Sequence, residues 1–486
     1  MKLLIFPALL CFVIFYSCST PTQVGDGDAA QVIENSLVAG LQIKGESKKT
    51  YTLAERMAHY NVPGVSIAVV KDGKISWAKG YGIANSQTGS LVDVNTLFQA
   101  GSISKPIAAL AALKLAEEGK IELDADVNTY LTSWKVPDSE FTQTEKVTLR
   151  RLLTHTAGTT VHGFPGYHPS MIFPGIETVL NGRGNTPAIY VDTTPGTLWR
   201  YSGGGYTIME KVVEDVTDLP LDIYLKQSVL EPLGMEHSTY AQPLPADRAA
   251  EASAAYDSNG TLIDGLWHNY PEQAAAGLWT TPSDLAKYCI EIQSIVAGKK
   301  DGILSQEMVT RMLTKDKNDW GLGPSLKNEG NDLIFQHGGK NAGFTNNMVA
   351  FAHTGEAIII MTNADNGGRL IGEIINAASD YYDWGLSNVR TIETIKLSPE
   401  KLQEFVGKYQ YSEQVPGSGS YFIEVRLADG QLTIIDPEEN TSFSLTPMEA
   451  MKFIDLEKGD QIVFSASENG PVVLLWNNNY RFYKVE

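Results

Sequence analysis

The spacing of apolar and polar positions divides this chain into stretches of different period. Around Leu53 to Tyr60 the pattern is helical. Val65 to Val70 and Lys74 to Gly80 then read as two strands joined at Asp72-Gly73, a β-hairpin. From Ile103 to Glu118 an Ala- and Leu-rich run follows a helical period, and Gly119 ends it. The middle, roughly 107–300, is mainly helical with long loops. Among these, Gly158 to Gly184 is rich in Gly, Pro and His and is expected to form a pocket wall. Strands return over 333–363, with Phe344 to Ala352 and Ala357 to Thr362 flanking Thr354-Gly355 as a second hairpin. A helix over Leu370 to Tyr382 follows. Strands at both ends with helices between them predict one mixed sheet whose strands are distant in sequence.

The composition shifts near residue 391. Over 400–486 the chain carries short alternating strands with turn signals at Asp429-Gly430, Lys458-Gly459-Asp460 and Asn469-Gly470. This predicts an all-β module, a small barrel or sandwich. The organisation expected is therefore α/β with a helical subdomain over 31–390 and an all-β domain over 391–486. A length of 486 residues agrees, since it exceeds what one ordinary core holds.

Charge and cysteines narrow the function classes. A formal net charge of −19 would repel nucleic-acid phosphates. Lys2, the apolar run Leu3 to Tyr16 and the small residues Ser17-Cys18-Ser19 read as a secretory signal over 1–18, too short for a comfortable membrane span. Cys18 at the cleavage point resembles the lipidation site of bacterial lipoproteins. A polar, Gly-rich tether over 19–30 would then link a lipid anchor to the body. Export to the cell envelope is the expectation, with membrane contact through that lipid. The other cysteines are Cys11, inside the signal, and Cys289, so after processing no disulfide framework is possible if Cys18 carries lipid, and no zinc site can be built from cysteines; Cys289 reads as a core residue.

The candidate chemistry begins with Ser102-Ile103-Ser104-Lys105. Ser-x-x-Lys also occurs at Ser76/Lys79 and Ser398/Lys401. Ser76 and Lys79 lie in a strand, where residues three apart face opposite ways. Ser398-Pro399 reads as a helix cap with Pro at the first position. Ser102 instead opens the Ile103 helix, where free N–H groups favour developing negative charge, and Lys105 shares its face. By spacing alone the pair also describes a capping serine and a solvated lysine. As a nucleophile, Ser102 needs a base within hydrogen-bond reach. Lys105 can serve if burial and nearby positive charge lower its pKa, and Tyr201 is a second candidate. Tyr201-Ser202 precedes Gly203-Gly204-Gly205, which permits close backbone approach. In His337-Gly338-Gly339-Lys340, Gly338 and Gly339 would let substrate lie along a strand edge. The N–H groups of Lys340 and Ser102 could form an oxyanion hole. His337 would bond a substrate carboxylate or the tyrosine oxygen. His155 and His162 lack metal-ligand spacing, and there is no Gly-x-Ser-x-Gly elbow or phosphate loop, so no metal and no cofactor are expected.

These motifs, in this order, resemble the serine β-lactamase and penicillin-binding protein superfamily, in its class C β-lactamase-like branch. Leu152-Leu153-Thr154-His155-Thr156-Ala157-Gly158, Glu231-Pro232-Leu233-Gly234-Met235, Ala276-Gly277-Leu278-Trp279-Thr280-Thr281-Pro282-Ser283-Asp284-Leu285 and His337 to Phe344 carry the likeness over about 50–385. The resemblance implies an antiparallel sheet flanked by helices, a helical subdomain, and a site between them. It implies Ser102 as nucleophile of an acyl-enzyme, Lys105 and Tyr201 as base and proton shuttle, and His337 at the third-motif position. The C-terminal module resembles the lipocalin-like barrels appended to some peptidases of this branch, through Phe405-Val406-Gly407-Lys408-Tyr409. Two departures stand out. Gly203 replaces an asparagine that contacts substrate and lysine in that branch, and His337 replaces a lysine, giving a weaker, pH-dependent positive charge. Both favour a peptidase or esterase over a β-lactamase. The reading is a serine hydrolase acting on D-amino-acid or peptidoglycan-derived peptides. A carboxylesterase or weak β-lactamase is the alternative, and a non-catalytic receptor for muropeptides or β-lactams the alternative of another class.

Overall fold

The computed structural model describes residues 23–299, 302–330, 332–413, 420–438, 441–465 and 472–486. The expected signal segment, Cys18 and the first part of the tether lie outside them. The chain divides into two compact units, one holding the described residues up to Ala30 with Met57–Gly368, the other holding Gln31–Arg56 with Arg369–Glu486.

In the first unit a sheet runs in the order Gln23–Gly25, Lys74–Asn85, Gly64–Lys71, Ala357–Thr362, Phe344–Phe351, Asp332–Asn341, Ser325–Glu329, with Ser90–Leu91 paired beside Lys74–Asn85. Every ladder in it is antiparallel, which corrects the expectation of a mixed sheet. Both hairpins read from the sequence are present, and the strand Ala357–Thr362 joins them by pairing with Gly64–Lys71. Tight hairpins impose antiparallel pairing, whereas parallel strands need long crossovers. Residues 23–25 are not a loose tether, because they form the edge strand against Lys74–Asn85.

The helix Ser104–Glu117 is buried on almost every side, from Ser104 through Leu113 and again at Leu115. That explains its run of Ala and Leu, since a helix apolar all round belongs inside a core. It packs with Gly203–Thr217 and Pro282–Val296 into one hydrophobic cluster with the inner face of the sheet. Cys289 sits within that cluster, fully buried and free.

In the second unit eight strands from Gly407–Tyr411 to Tyr480–Lys484 close into an up-and-down barrel, each paired with its sequence neighbour and the last with the first. Alternate residues such as Ile423, Val425, Leu432, Ile434, Phe464 and Leu474 fill its interior. The same unit contains the parallel pair Leu41–Ile43 and Arg390–Ile392 and a buried ion pair, Arg56 to Glu373 at 2.7 Å.

Candidate active site

Ser102 lies in a 3-10 turn, Gly101–Ile103, that leads into the helix from Ser104. Ser104 fixes this turn, donating to the Gly101 carbonyl at 2.6 Å and accepting from the Leu278 amide at 3.0 Å. The Lys105 amine, one helical turn on, donates to Ser102 Oγ at 3.0 Å and to the Ala275 carbonyl at 2.8 Å. Lys105 is only 2% exposed, and burial pulls its pKa down to about 7. A cation stripped of water loses hydration that two neutral acceptors do not replace, so the neutral amine gains.

Tyr201 stands over the same amine, its ring centroid 5.0 Å from Lys105 Nζ. Burial raises its pKa, and a hydrogen bond with Ser102 opposes that rise. The phenol therefore stays protonated where the lysine is already losing its proton. Ser202 is explained as the cap of the next helix, its hydroxyl accepting from Gly205 N–H at 3.0 Å.

Two glycine motifs bring the third element close. Gly101 has φ +56°, and a side chain there would meet the Lys340 amide nitrogen at 2.5 Å. A side chain on Gly339 would collide with the Ala100 carbonyl oxygen at 1.9 Å. The strand Asp332–Asn341 can thus run against the serine turn only because both positions lack a Cβ. Its outer neighbour, Ser325–Glu329, ends opposite Gln336, so among the described residues His337 to Asn341 present an edge without a ladder partner on that side. That edge, with Ser102, Tyr201 and Trp320, lines a cleft of about 810 Å³. The loop over 158–184 contributes His162 to Pro165 to the wall, as expected from its composition.

His337 departs from its expected role. It is buried, its Nδ1 lies 2.6 Å from the Gly338 carbonyl, and burial together with the charge of Lys105 pushes its pKa down to about 3. It is a neutral imidazole, with no positive charge to offer a substrate carboxylate. The cation at this edge is Lys340, whose amine is 3.7 Å from Asp365.

The substitution at Gly203 is also built in. A Cβ there would meet the Phe164 ring at 2.8 Å and the His162 carbonyl oxygen at 3.0 Å. The place of an asparagine side chain is taken by the 158–184 loop.

Three groups that matter were not assigned a role from the sequence. The Ala275 carbonyl is backbone and leaves no signature. His155 stacks on Tyr201 with centroids 4.2 Å apart, and its Nδ1 accepts the Ser202 amide at 3.1 Å. Burial holds it neutral, which leaves its Nδ1 able to accept that amide next to Tyr201. Its place in Leu-Leu-Thr-His-Thr-Ala-Gly was the available signal. Glu210, on the helix Gly203–Thr217, accepts the Ala274 amide at 2.8 Å. It thereby caps the short helix Gln273–Ala276 that carries the Ala275 carbonyl. Burial raises its pKa well above the carboxylate range. Among the described residues, no group of three or more His, Cys, Asp and Glu could hold a metal ion.

A family model described as Beta-lactamase matches residues 51–379. A putative penicillin-binding protein PbpX of Bacillus subtilis (strain 168) is 25% identical over 312 residues, 63% of this chain and 72% of that protein. A putative D-alanyl-D-alanine carboxypeptidase of Salmonella agona (strain SL483) is 28% identical over 258 residues, 49% of this chain. The chain spans only 57% of that relative's length. The octameric penicillin-binding protein homologue from Pyrococcus abyssi superposes with a TM-score of 0.61 at 22% identity, over 89% of this chain and 98% of that one. At that identity the likeness is one of fold.

Proposed function

This chain belongs to the beta-lactamase family of serine hydrolases, and from that premise we propose that it cleaves amides through an acyl-enzyme on Ser102, as a peptidase on D-amino-acid or peptidoglycan-derived peptides. The observation that carries this reading is the buried amine of Lys105, 3.0 Å from Ser102 Oγ with its pKa pulled down to about 7. A neutral amine at that distance takes the hydroxyl proton as the oxygen attacks the carbonyl carbon. The amides of Ser102 and Lys340 receive the oxyanion. Tyr201, kept protonated by burial, hands its proton to the leaving nitrogen and regains one through Lys105. Water then enters by the reverse path and releases the acid. The free edge at His337 to Asn341 supports a peptide, because an extended backbone can pair there.

One observation favours a carboxylesterase as the second reading. With His337 neutral and Lys340 beside Asp365, the cleft has little fixed positive charge for the carboxylate of a peptide C-terminus. Intact mass after exposure to a fluorophosphonate and, separately, to a penicillin tests the nucleophile, with Ser102→Ala as control. Adducts on wild type alone support the enzyme; none on folded wild type overturns it in favour of a binding protein. Turnover of D-Ala-D-Ala peptides against p-nitrophenyl esters then decides between amide and ester.

We also propose that the enzyme works at the cell envelope, tethered through lipid on Cys18. The apolar run Leu3 to Tyr16 before Ser17-Cys18 supports this. Palmitate labelling that survives Cys18→Ser would exclude it.

A further inference from the structure

The active-site cleft has a wall of rings beside Tyr201. Phe164, Trp199, Tyr201 and Trp320 all line it, each half-buried. Trp320 is the hub of this wall. Its ring centroid lies 5.7 Å from that of Tyr201, 5.5 Å from Trp199 and 5.5 Å from His337. Hydrogen bonds hold it there. The indole N–H donates to the Gly323 carbonyl at 3.2 Å, and the Trp320 carbonyl accepts the Asp316 amide at 2.7 Å. A ring already fixed costs a guest little ordering when it packs there.

The wall offers a guest few polar groups. The Trp320 N–H is engaged, and that of Trp199 is buried away from the cleft. Further round, Ser325, Thr345 and Asn346 turn their side chains to the carbonyls of Gln336, Ala364 and Gln99. Among the described residues no Asp or Glu lines the cleft, although the chain carries a net charge of −19. Its one lining Lys or Arg is Lys340, with Asp365 beside the amine. A sugar or an ammonium group would shed water against these rings and find too few partners to replace it. A ring or a long alkyl group sheds water only from apolar surface, and so does the wall. An alanine methyl is too small to cover it.

The side of the substrate that meets this wall follows from Tyr201, and here the inference rests on the acyl-enzyme reading above. Tyr201 hands its proton to the leaving nitrogen, so the departing part of the substrate lies on the Tyr201 side, against Trp320. We propose that the residue after the scissile bond carries an uncharged aromatic or large apolar side chain, and that Trp320 is the residue that selects it.

Calorimetric titration of full-length Ser102→Ala, which keeps the cleft without its nucleophile, tests this. The ligands are N-acetyl-D-alanyl peptides ending in the amide of D-phenylalanine, D-alanine or D-lysine. The phenylalanine peptide should bind at least ~10-fold more tightly than the alanine peptide, since even one methylene in an apolar pocket is worth about that factor. The lysine peptide should bind no more tightly than the alanine one. On wild type the same order should appear in kcat/KM. The three leaving amines are of similar basicity, so the chemistry does not set that order. Trp320→Ala should erase most of the preference for phenylalanine, and Trp320→Phe should keep most of it. The ratio between two peptides cancels any general loss that a change beside Tyr201 brings. If Trp320→Ala fails to fold, the three-peptide comparison and Trp320→Phe still decide. Equal affinity for the phenylalanine and alanine peptides, no binding of the former at millimolar concentration, lysine equal to phenylalanine, or an unchanged ratio in folded Trp320→Ala would each overturn the proposal. A wild type that neither acylates nor cleaves would sink the hydrolase reading instead, and the calorimetric ratio would still decide this one.

Discussion

Ser102/Lys105 and Ser398/Lys401 have the same spacing at the start of a helix, one pair in each unit, and they do opposite things. At Ser398 the hydroxyl turns inward to its own helix and accepts the Lys401 amide at 3.3 Å, while the lysine amine reaches out to Glu404 at 2.6 Å. At Ser102 the hydroxyl leaves the backbone and accepts the lysine amine itself. The difference lies in what surrounds the pair. Lys401 is a third exposed and has a carboxylate partner, so its charge is easily held. Lys105 is sealed among Tyr201, Tyr206 and the Ala275 carbonyl, where charge is hard to hold and a free electron pair is correspondingly available. Spacing places two groups together; burial with no counter-charge in contact is what supports the base role proposed for Lys105.

The largest effect should come from removing the groups that differ. Ser102→Ala should abolish acylation, a loss of at least ~10⁴-fold of the kind that follows removal of a nucleophile. Lys105→Met, which keeps the volume and removes the amine, should come close to it. Stopped-flow acylation with a fluorophosphonate measures both, and a Lys105→Met enzyme within tenfold of wild type would mean that another group is the base. Restoring the family's amide at 203 tests the wall instead. Gly203→Asn alone should destabilise by about 1–3 kcal/mol, the usual cost of overpacking, because the Phe164 ring and the His162 carbonyl stand in its way. Thermal melts of Gly203→Asn and of Gly203→Asn with Phe164→Ala should show partial recovery in the double variant.

The support behind Lys105 should show at about tenfold. Glu210→Ala uncaps the helix that offers the Ala275 carbonyl, so kcat should fall ~10-fold with KM nearly unchanged. Glu210→Gln retains an oxygen for the Ala274 amide and should stay near wild type. The pH profile reads the lysine directly. With its pKa about 7, acylation should rise roughly tenfold from pH 6 to pH 8 and then level, as the neutral amine accumulates. The stability consequence has the same sign. The folded pKa is depressed, so between about 7 and the ordinary lysine value of 10.5 the unfolded chain binds more protons, and stability should rise with pH across that window. Lys105→Met should remove that slope from pH-dependent denaturant melts.

Much of this was legible beforehand, for reasons the two pairs make plain. Period and turn residues marked both hairpins, the buried helix after Ser102 and the alternating strands of the barrel, because those are local properties of the chain. The cap at Ser398 was legible for the same reason. What the sequence left open depends on distant partners. The neutrality of His337 comes from burial beside Lys105, the blocked space at Gly203 from a loop about forty residues earlier, and the Ala275 carbonyl from backbone alone. The proposal of Lys105 rather than Tyr201 as base rests on how burial moves each: down for an amine, up for a phenol. No local pattern carries that.

The smallest effect is the one that closes the comparison. Ser398→Ala removes a helix cap, and caps are worth about 0.5–2 kcal/mol. The helix here is short, Pro399–Gln403, and its proline already occupies a first-turn position that needs no donor. Of the free amides in that turn, the one on Lys401 loses its side-chain acceptor and can turn to water, since the neighbourhood is exposed. The cost should therefore fall near the lower end of that range. It should appear in a denaturant melt followed by barrel tryptophan fluorescence, with acylation of Ser102 at the wild-type rate. If Ser398→Ala instead slowed acylation, the two Ser-x-x-Lys pairs would be coupled, and burial around Lys105 alone would no longer account for the difference between them.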